Sequence, residues 1–224
     1  MATATPTTGT FDDIKGHNND RIRKVLEMAL FAKRYAPEDE APVQIWDGTK
    51  LVLPAGYTPI GMTTKEDGAT WTREQETSDV TSHGYAEPTR RDILSDVAGL
   101  QFTAQETHLT TLEMDKGVDL SGLTTDAKGN VVIDKPSRPA SLLWRVLAVG
   151  KDGDGPDAIY VVRWLPRAQV SESAEQKWSE EEELRYGLTL TGYNDRTVGT
   201  AMREIWGGPG LDHAAMGFPA PAAA

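Results

Sequence analysis

The stretch LLWRVLAVGKDGDGPDAIYVVRWLP, residues 142–166, decides the fold. Two apolar runs, LLWRVLAVG and DAIYVVRWLP, flank KDGDGP, a glycine- and aspartate-rich turn of the kind that joins antiparallel strands. Their near-continuous hydrophobicity predicts two neighbouring strands covered on both faces. The first run is interrupted by Arg145 and is far shorter than the roughly 20 apolar residues that cross a bilayer.

Strand signals continue on both sides of this hairpin. Downstream, AQVSESAEQKW reads as a polar strand, and LRYGLTLTGY alternates Leu184, Tyr186, Leu188 and Leu190. Upstream, VQIW, KLVL and YTPIGMTT are short runs broken by Asp-Gly, Pro-Ala-Gly and Lys-Glu-Asp-Gly turns. ATWTREQETSDVTS is extended by pattern yet polar, and RRDILSDVAGLQFTAQET alternates at Leu100, Phe102 and Ala104. Three helices are expected. The first is NNDRIRKVLEMALFAKRY, opened by the capping residues Asn18, Asn19 and Asp20 and striped by Ile22, Val25, Leu26, Ala29, Leu30 and, at its non-apolar end, Lys33. The others are LTTLEMDKG, closed by Gly117, and VGTAMREIW, closed by Gly207 and Gly208.

About nine strands and three helices give an α+β class, a mainly antiparallel β-sandwich or barrel with flanking helices. The expected core is Leu100, Phe102, Trp144, Val146, Trp164, Leu188, Leu190, Met202 and Ile205, with Val198, Met202 and Ile205 on the last helix. Residues 1–16 read as a flexible arm, 17–210 as one domain and 211–224 as a disordered tail. A loop studded with Gly, Asp and Pro spans 118–139.

Composition narrows the function. The 224 residues include no cysteine, which excludes disulfides and thiolate-ligated zinc. The net charge of −11 disfavours binding to nucleic acid by phosphate neutralisation. The N-terminal MATATPTTGTF lacks a basic region followed by an apolar run, so no membrane association or export signal is expected.

Candidate chemistry is sparse. Asp152, Asp154 and Asp157 have spacing seen in calcium loops, but no glutamate completes such a loop and no helix flanks it, so a plain hairpin turn is the simpler reading. His17, His83, His108 and His213 share no metal-ligand spacing. There is no nucleophile elbow, and GGPG lacks the lysine and hydroxyl residue of a phosphate loop. No catalytic, cofactor-binding or metal residue is assigned, and an enzyme is not expected.

The two polar strands are the unusual feature. TWTREQETSDV and AQVSESAEQKW carry polar side chains on both faces, whereas a sheet strand normally turns one face to a core. Such strands make sense if a sister subunit covers one side and a wet channel meets the other; a long exposed hairpin is the alternative.

Four segments resemble the major tail tube proteins of long non-contractile-tailed phages, especially those of actinobacteria: GYTPIGMTTKEDGATWTREQETSDVTSHGYAEPTRRDI, LQFTAQETHLTTLEMDKGVDLS, VIDKPSRPASLLWRVLAVGKDGDGPDAIYVVRWLPRAQVSESAEQKWS and LTLTGYNDRTVGTAMREIWGGPG. The most telling signals are Ser78-Asp79-Val80, FTAQET, Trp164-Leu165-Pro166-Arg167-Ala168 and Gly207-Gly208-Pro209-Gly210. The resemblance implies a fold shared with type VI secretion tubes. It also implies homohexameric rings stacked into a hollow tube that encloses a tape-measure protein and conducts DNA without specific binding. A tail terminator and a distal tail protein are the implied partners, and the implied location is the virion tail, after assembly in the host cytoplasm. With an acidic chain, Glu74, Glu76, Glu172 and Glu175 are the expected lumen-lining residues. A tail terminator, a capsid decoration protein and a calcium-dependent β-sandwich binding module are the rival readings.

Overall fold

The computed structural model describes residues 9–37, 44–138 and 141–219. Residues 1–8 of the expected arm and 220–224 of the expected tail lie outside them. In chain order the elements are α1 (Phe11–Lys15), β1 (Glu27–Arg34), β2 (Thr58–Pro59), β3 (Ala69–Val80), β4 (Arg90–Ala104), α2 (Leu109–Lys116), β5 (Leu143–Asp152), β6 (Ile159–Ser173), β7 (Tyr186–Gly192) and β8 (Arg203–Gly207). All pairings are antiparallel, in the order β2-β1-β5-β6-β7-β4-β3, with β8 beside β6. The class is the expected α+β, a mainly antiparallel sandwich or barrel.

The β5–β6 hairpin is the centre. β6 pairs β5 along one edge; its other edge is divided between β8, over Tyr160–Trp164, and β7, over Ala168–Ser173. A bulge at Ser171 accompanies the second pairing and bends the strand. Residues 58–64 then close the sheet. Their first part pairs β1, and Ile60 N donates to Leu30 O at 2.8 Å. Their last part reaches β4, where Thr63 bridges Ala104 and Thr64 N donates to Thr103 O at 3.0 Å. Gly61 makes the crossing with φ +85°, and a Cβ there would collide with the Glu106 carboxylate, which accepts from Met62 N at 2.7 Å.

Closure creates an interior. Leu30, Phe102, Leu100, Trp144, Val146, Leu165, Leu188 and Leu190 form one buried cluster, capped by Met114 of α2. A second cluster on the outside of β5 and β6 holds Leu147, Val162 and Trp164 under Ile45 and Tyr57, with Trp164 Nε1 donating to the Tyr57 hydroxyl at 2.8 Å. β5 and β6 are therefore covered on both faces.

Several expectations are corrected. Residues 18–35 are not a helix. Asn18 caps a single 3-10 turn, its side chain accepting from Asp20 N at 2.8 Å, and β1 follows. Ile22, Val25 and Leu26, half of the expected helical stripe, are exposed, while Leu30 and Ala32 alternate inward. The free edge of β5 decides this, because its backbone groups need partners and β1 supplies eight paired positions. The expected last helix is also a strand, β8, for the same reason at β6. Met202 precedes it and Ile205 lies within it; they pack on different clusters, not on one helical face. AQVSESAEQKW is no separate strand, since Ser173 ends β6. VQIW and KLVL form only the bridge between Trp46 and Leu51. Of the three expected helices, only LTTLEMDKG is one, ending at Gly117 in the left-handed region with φ 62°.

Candidate functional site

Two adjacent rungs of the sheet define the site. One runs Val170, Leu190, Leu100, Trp71 across β6, β7, β4 and β3; the next runs Glu172, Thr189, Gln101, Thr70. Directly opposed residues share a face, and successive residues alternate faces. The first rung packs on the main core. The second lies on the other side, with Glu172, Gln101 and Thr70 exposed. A third rung, Gln169, Thr191, Gly99, Thr72, extends the polar face. Gly99 leaves room for the Thr72 hydroxyl, which a Cβ there would force to move.

The same alternation carries this face onto a projecting ribbon. Beyond Ala98, β4 pairs only β3 among the described residues. From Thr72 to Val80, β3 is exposed on both sides. Glu74 and Glu76 follow Thr70 and Thr72 on the polar face, opposite Val97 and Ser95. Three of the four acidic residues singled out from the sequence, Glu74, Glu76 and Glu172, thus share one sheet face. Glu175 lies past the end of β6 and lines a shallow cleft of about 570 Å³ with Thr103, Gln105 and Gly187 at the margin of that face.

The two faces of the ribbon differ in charge. On the face continuous with the core, Arg73 Nε donates to Asp96 Oδ1 at 2.8 Å and Gln75 Nε2 to Asp96 Oδ2 at 3.0 Å. Nearer the tip, Arg91 grips Asp79 through two bonds, at 2.7 and 2.8 Å. Hydrogen bonds from Arg73 and then Gln75 pull the Asp96 carboxyl down to about 2. The bond from Arg91 lowers Asp79 in the same way. On the opposite face Glu74 and Glu76 form no ion pair with any described residue. One side of the ribbon is internally neutralised; the other carries the Arg90–Asp92 pair near its tip and, closer to the wall, the bare carboxylates of Glu74 and Glu76.

Of the expected core residues, Leu100, Phe102, Trp144, Val146, Trp164, Leu188 and Leu190 are buried, while Met202 and Ile205 are half-buried. Sequence reasoning missed a buried ion pair. Arg145, 2% exposed, lies 3.3 Å from Asp195, which is fully buried. Arg145 also donates to Ala36 O at 3.1 Å and stacks 5.1 Å from the Tyr35 ring. Asp195 accepts from Thr197 N at 2.9 Å, tying the 195–200 turn to β5 just before β8. A single arginine inside the most apolar run was the available signal, since a buried charge requires a partner.

No catalytic constellation assembles among the described residues. His108 Nε2 lies 2.9 Å from Ile60 O and supports the crossing strand. In the 151–157 turn Asp154 is paired to Lys151, and Asp152 accepts from Lys24 N at 3.3 Å. Among the described residues no group of three or more His, Asp or Glu side chains is placed to hold a metal. No helix among them is long and apolar enough to cross a membrane.

The family model described as phage tail tube protein matches residues 32–204, from within β1 to within β8, including the ribbon and the polar face. No curated protein sequence matches the chain.

Proposed function

Because the chain belongs to the phage tail tube protein family, we propose that six copies close into a ring, that rings stack into a hollow tube, and that the Glu172–Thr189–Gln101–Thr70 face turns toward the bore. The chain is a structural component of the phage tail. The observation that carries the bore assignment is the contrast between adjacent rungs: one seals the core, and the next is a hydrated surface of hydroxyls, amides and carboxylates.

Such a lining suits DNA passage. Hydroxyls and amides hold water without offering phosphate a fixed cation. Glu74, Glu76 and Glu172 repel the backbone at close range, within a Debye length of about 8 Å at physiological salt. The tape-measure protein occupies the bore before ejection, with a terminator and a distal tail protein at the two ends, and assembly takes place in the host cytoplasm. A ring requires heterologous contacts that close, and stacking requires ones that do not. The ribbon, the N-terminal 1–16 and the 118–139 loop are the segments that reach neighbouring copies.

Replacing Glu74, Glu76 and Glu172 together by lysine tests the lining. Tubes should form with unchanged diameter while DNA ejection, followed by dye release from loaded particles, slows. Ejection at the parental rate from intact tubes rejects the bore assignment. Deleting residues 1–16 should shorten or abolish tubes, as seen by negative-stain microscopy.

A further inference from the structure

The most exposed large hydrophobic side chain among the described residues is Trp178, at 86%. It sits in the 174–185 loop between β6 and β7, beside the acidic run 180–183. Glu182 is held by Lys177 at 2.9 Å and Arg185 at 3.3 Å, and Glu183 accepts from Gln105 at 3.1 Å. Glu180 and Glu181 form no ion pair with any described residue. The loop thus presents an indole flanked by two uncommitted carboxylates.

Beyond the cleft at the loop's base the molecule carries the complementary shape. A cavity of about 890 Å³ opens where the barrel interior meets the segment before β1. Leu26, Met28, Trp71, Val161 and Trp206 supply apolar wall. Arg23, Lys24 and Lys65 stand around it, and their side chains form no ion pair with any described residue. Arg163 also lines the cavity but is neutralised by Glu204 at 2.6 Å. Two carboxylates also line it: Glu27, paired with Lys151, and Asp152, which among the described residues accepts only from Lys24 N. Three unpaired cations against one unpaired carboxylate leave the cavity net positive, against uncommitted negative charge on the loop. The chain leaves its own indole in solvent.

We propose that Trp178 of one copy seats in this cavity of the next, with Glu180 and Glu181 meeting Arg23, Lys24 and Lys65. This rests on the self-assembly reading above and assigns one of its contacts. The base of the loop (Ala174, Glu175, Glu183 and Arg185) shares a neighbouring cleft with Thr64 and Lys65 of the socket wall, but Trp178, Glu180 and Glu181 line neither cavity. Knob and socket are distinct patches, so the contact is heterologous and propagates from copy to copy. Burying an indole removes about 150–250 Å² from water. A tryptophan desolvated at the centre of a contact and ringed by polar pairs is the usual form of an interface hot spot. Opposite charges around the socket orient the encounter and disfavour other occupants.

The absence of cysteine makes the test clean. Ser179→Cys and Thr63→Cys place one thiol beside the knob and one in the socket wall. Mixed single variants should give a disulfide-linked dimer, and the double variant a ladder of oligomers. Trp178→Ala should leave the melting temperature of the isolated protein unchanged and raise the concentration at which tubes appear by about tenfold to thirtyfold. Glu180→Lys with Glu181→Lys should weaken assembly, and Lys24→Glu with Lys65→Glu should restore it. Tubes that form normally from Trp178→Ala, with no cross-link between copies, overturn the seat and leave the tube reading standing. A cross-link within one chain also overturns it, by showing that the loop folds back on its own cavity. Without tubes and without cross-links at any concentration, both fall.

Discussion

The barrel wall and the ribbon are built from the same two strands. At one end of the β3–β4 ladder Trp71 faces Leu100, which pairs with Leu190 of β7 and is fully buried in the main cluster with Leu30 of β1. Two residues further along the same face Arg73 stands opposite Ala98, and hydrophobic packing gives way to ion pairs in water. The transition comes where β7 stops pairing with β4, at Gly99. Backbone pairing alone therefore does not make an interior; a third strand and a covering layer do. A lone two-stranded ribbon is marginal in water, so this one depends on the barrel as its anchor and on cross-strand pairs for its shape.

That contrast predicts unequal consequences for substitutions. The largest is expected at Asp195→Ala, which leaves Arg145 charged and buried without its partner. A loss of about 3–5 kcal/mol is expected, visible in chemical denaturation, and a change within error would show that water compensates the arginine. Leu100→Ala, in the wall, should cost about 2–5 kcal/mol through lost contact and cavity. Arg73→Ala, two residues beyond the wall's last core position, should leave the melting temperature unchanged. A large loss there would mean that the ribbon is part of the cooperative core.

The finest effect is in titration. The folded Asp96 carboxyl, held at about 2, lies below its ordinary value of 3.8. A depressed carboxyl favours the paired ribbon at pH above the ordinary value and loses that contribution as pH falls from about 4 to 2. A carboxyl-carbon NMR titration should find its midpoint near 2, moving toward 3.8 in Arg73→Ala. An ordinary midpoint in the parent protein would remove the Arg73–Asp96 grip.

Much of this arrangement was legible in the chain. The 142–166 hairpin announced itself by continuous hydrophobicity around a glycine-aspartate turn, and α2 by its local stop at Gly117. The polarity of TWTREQETSDV flagged the ribbon, although Ala69 and Trp71 at its root do turn inward. Polarity alone marks Glu74, Glu76, Glu172 and Glu175 as bore-facing candidates; the ladder registers put the first three on one face, and Glu175 lies past the end of β6.

The sequence by itself determined the strand-rich class, the buried hairpin and the presence of unusually polar segments, because these follow from local periodicity and turn chemistry. That Trp71, Ala168 and Val170 give those segments a core side was decided by the register. Tertiary structure decided β1 and β8, whose apolar spacing also fits a helix. Open edges on β5 and β6 required backbone partners, and that demand outweighed local propensity. It also decided the pairing of Arg145 with Asp195 and the shared face of three distant glutamates, since side chains far apart in sequence meet only once strand register is set.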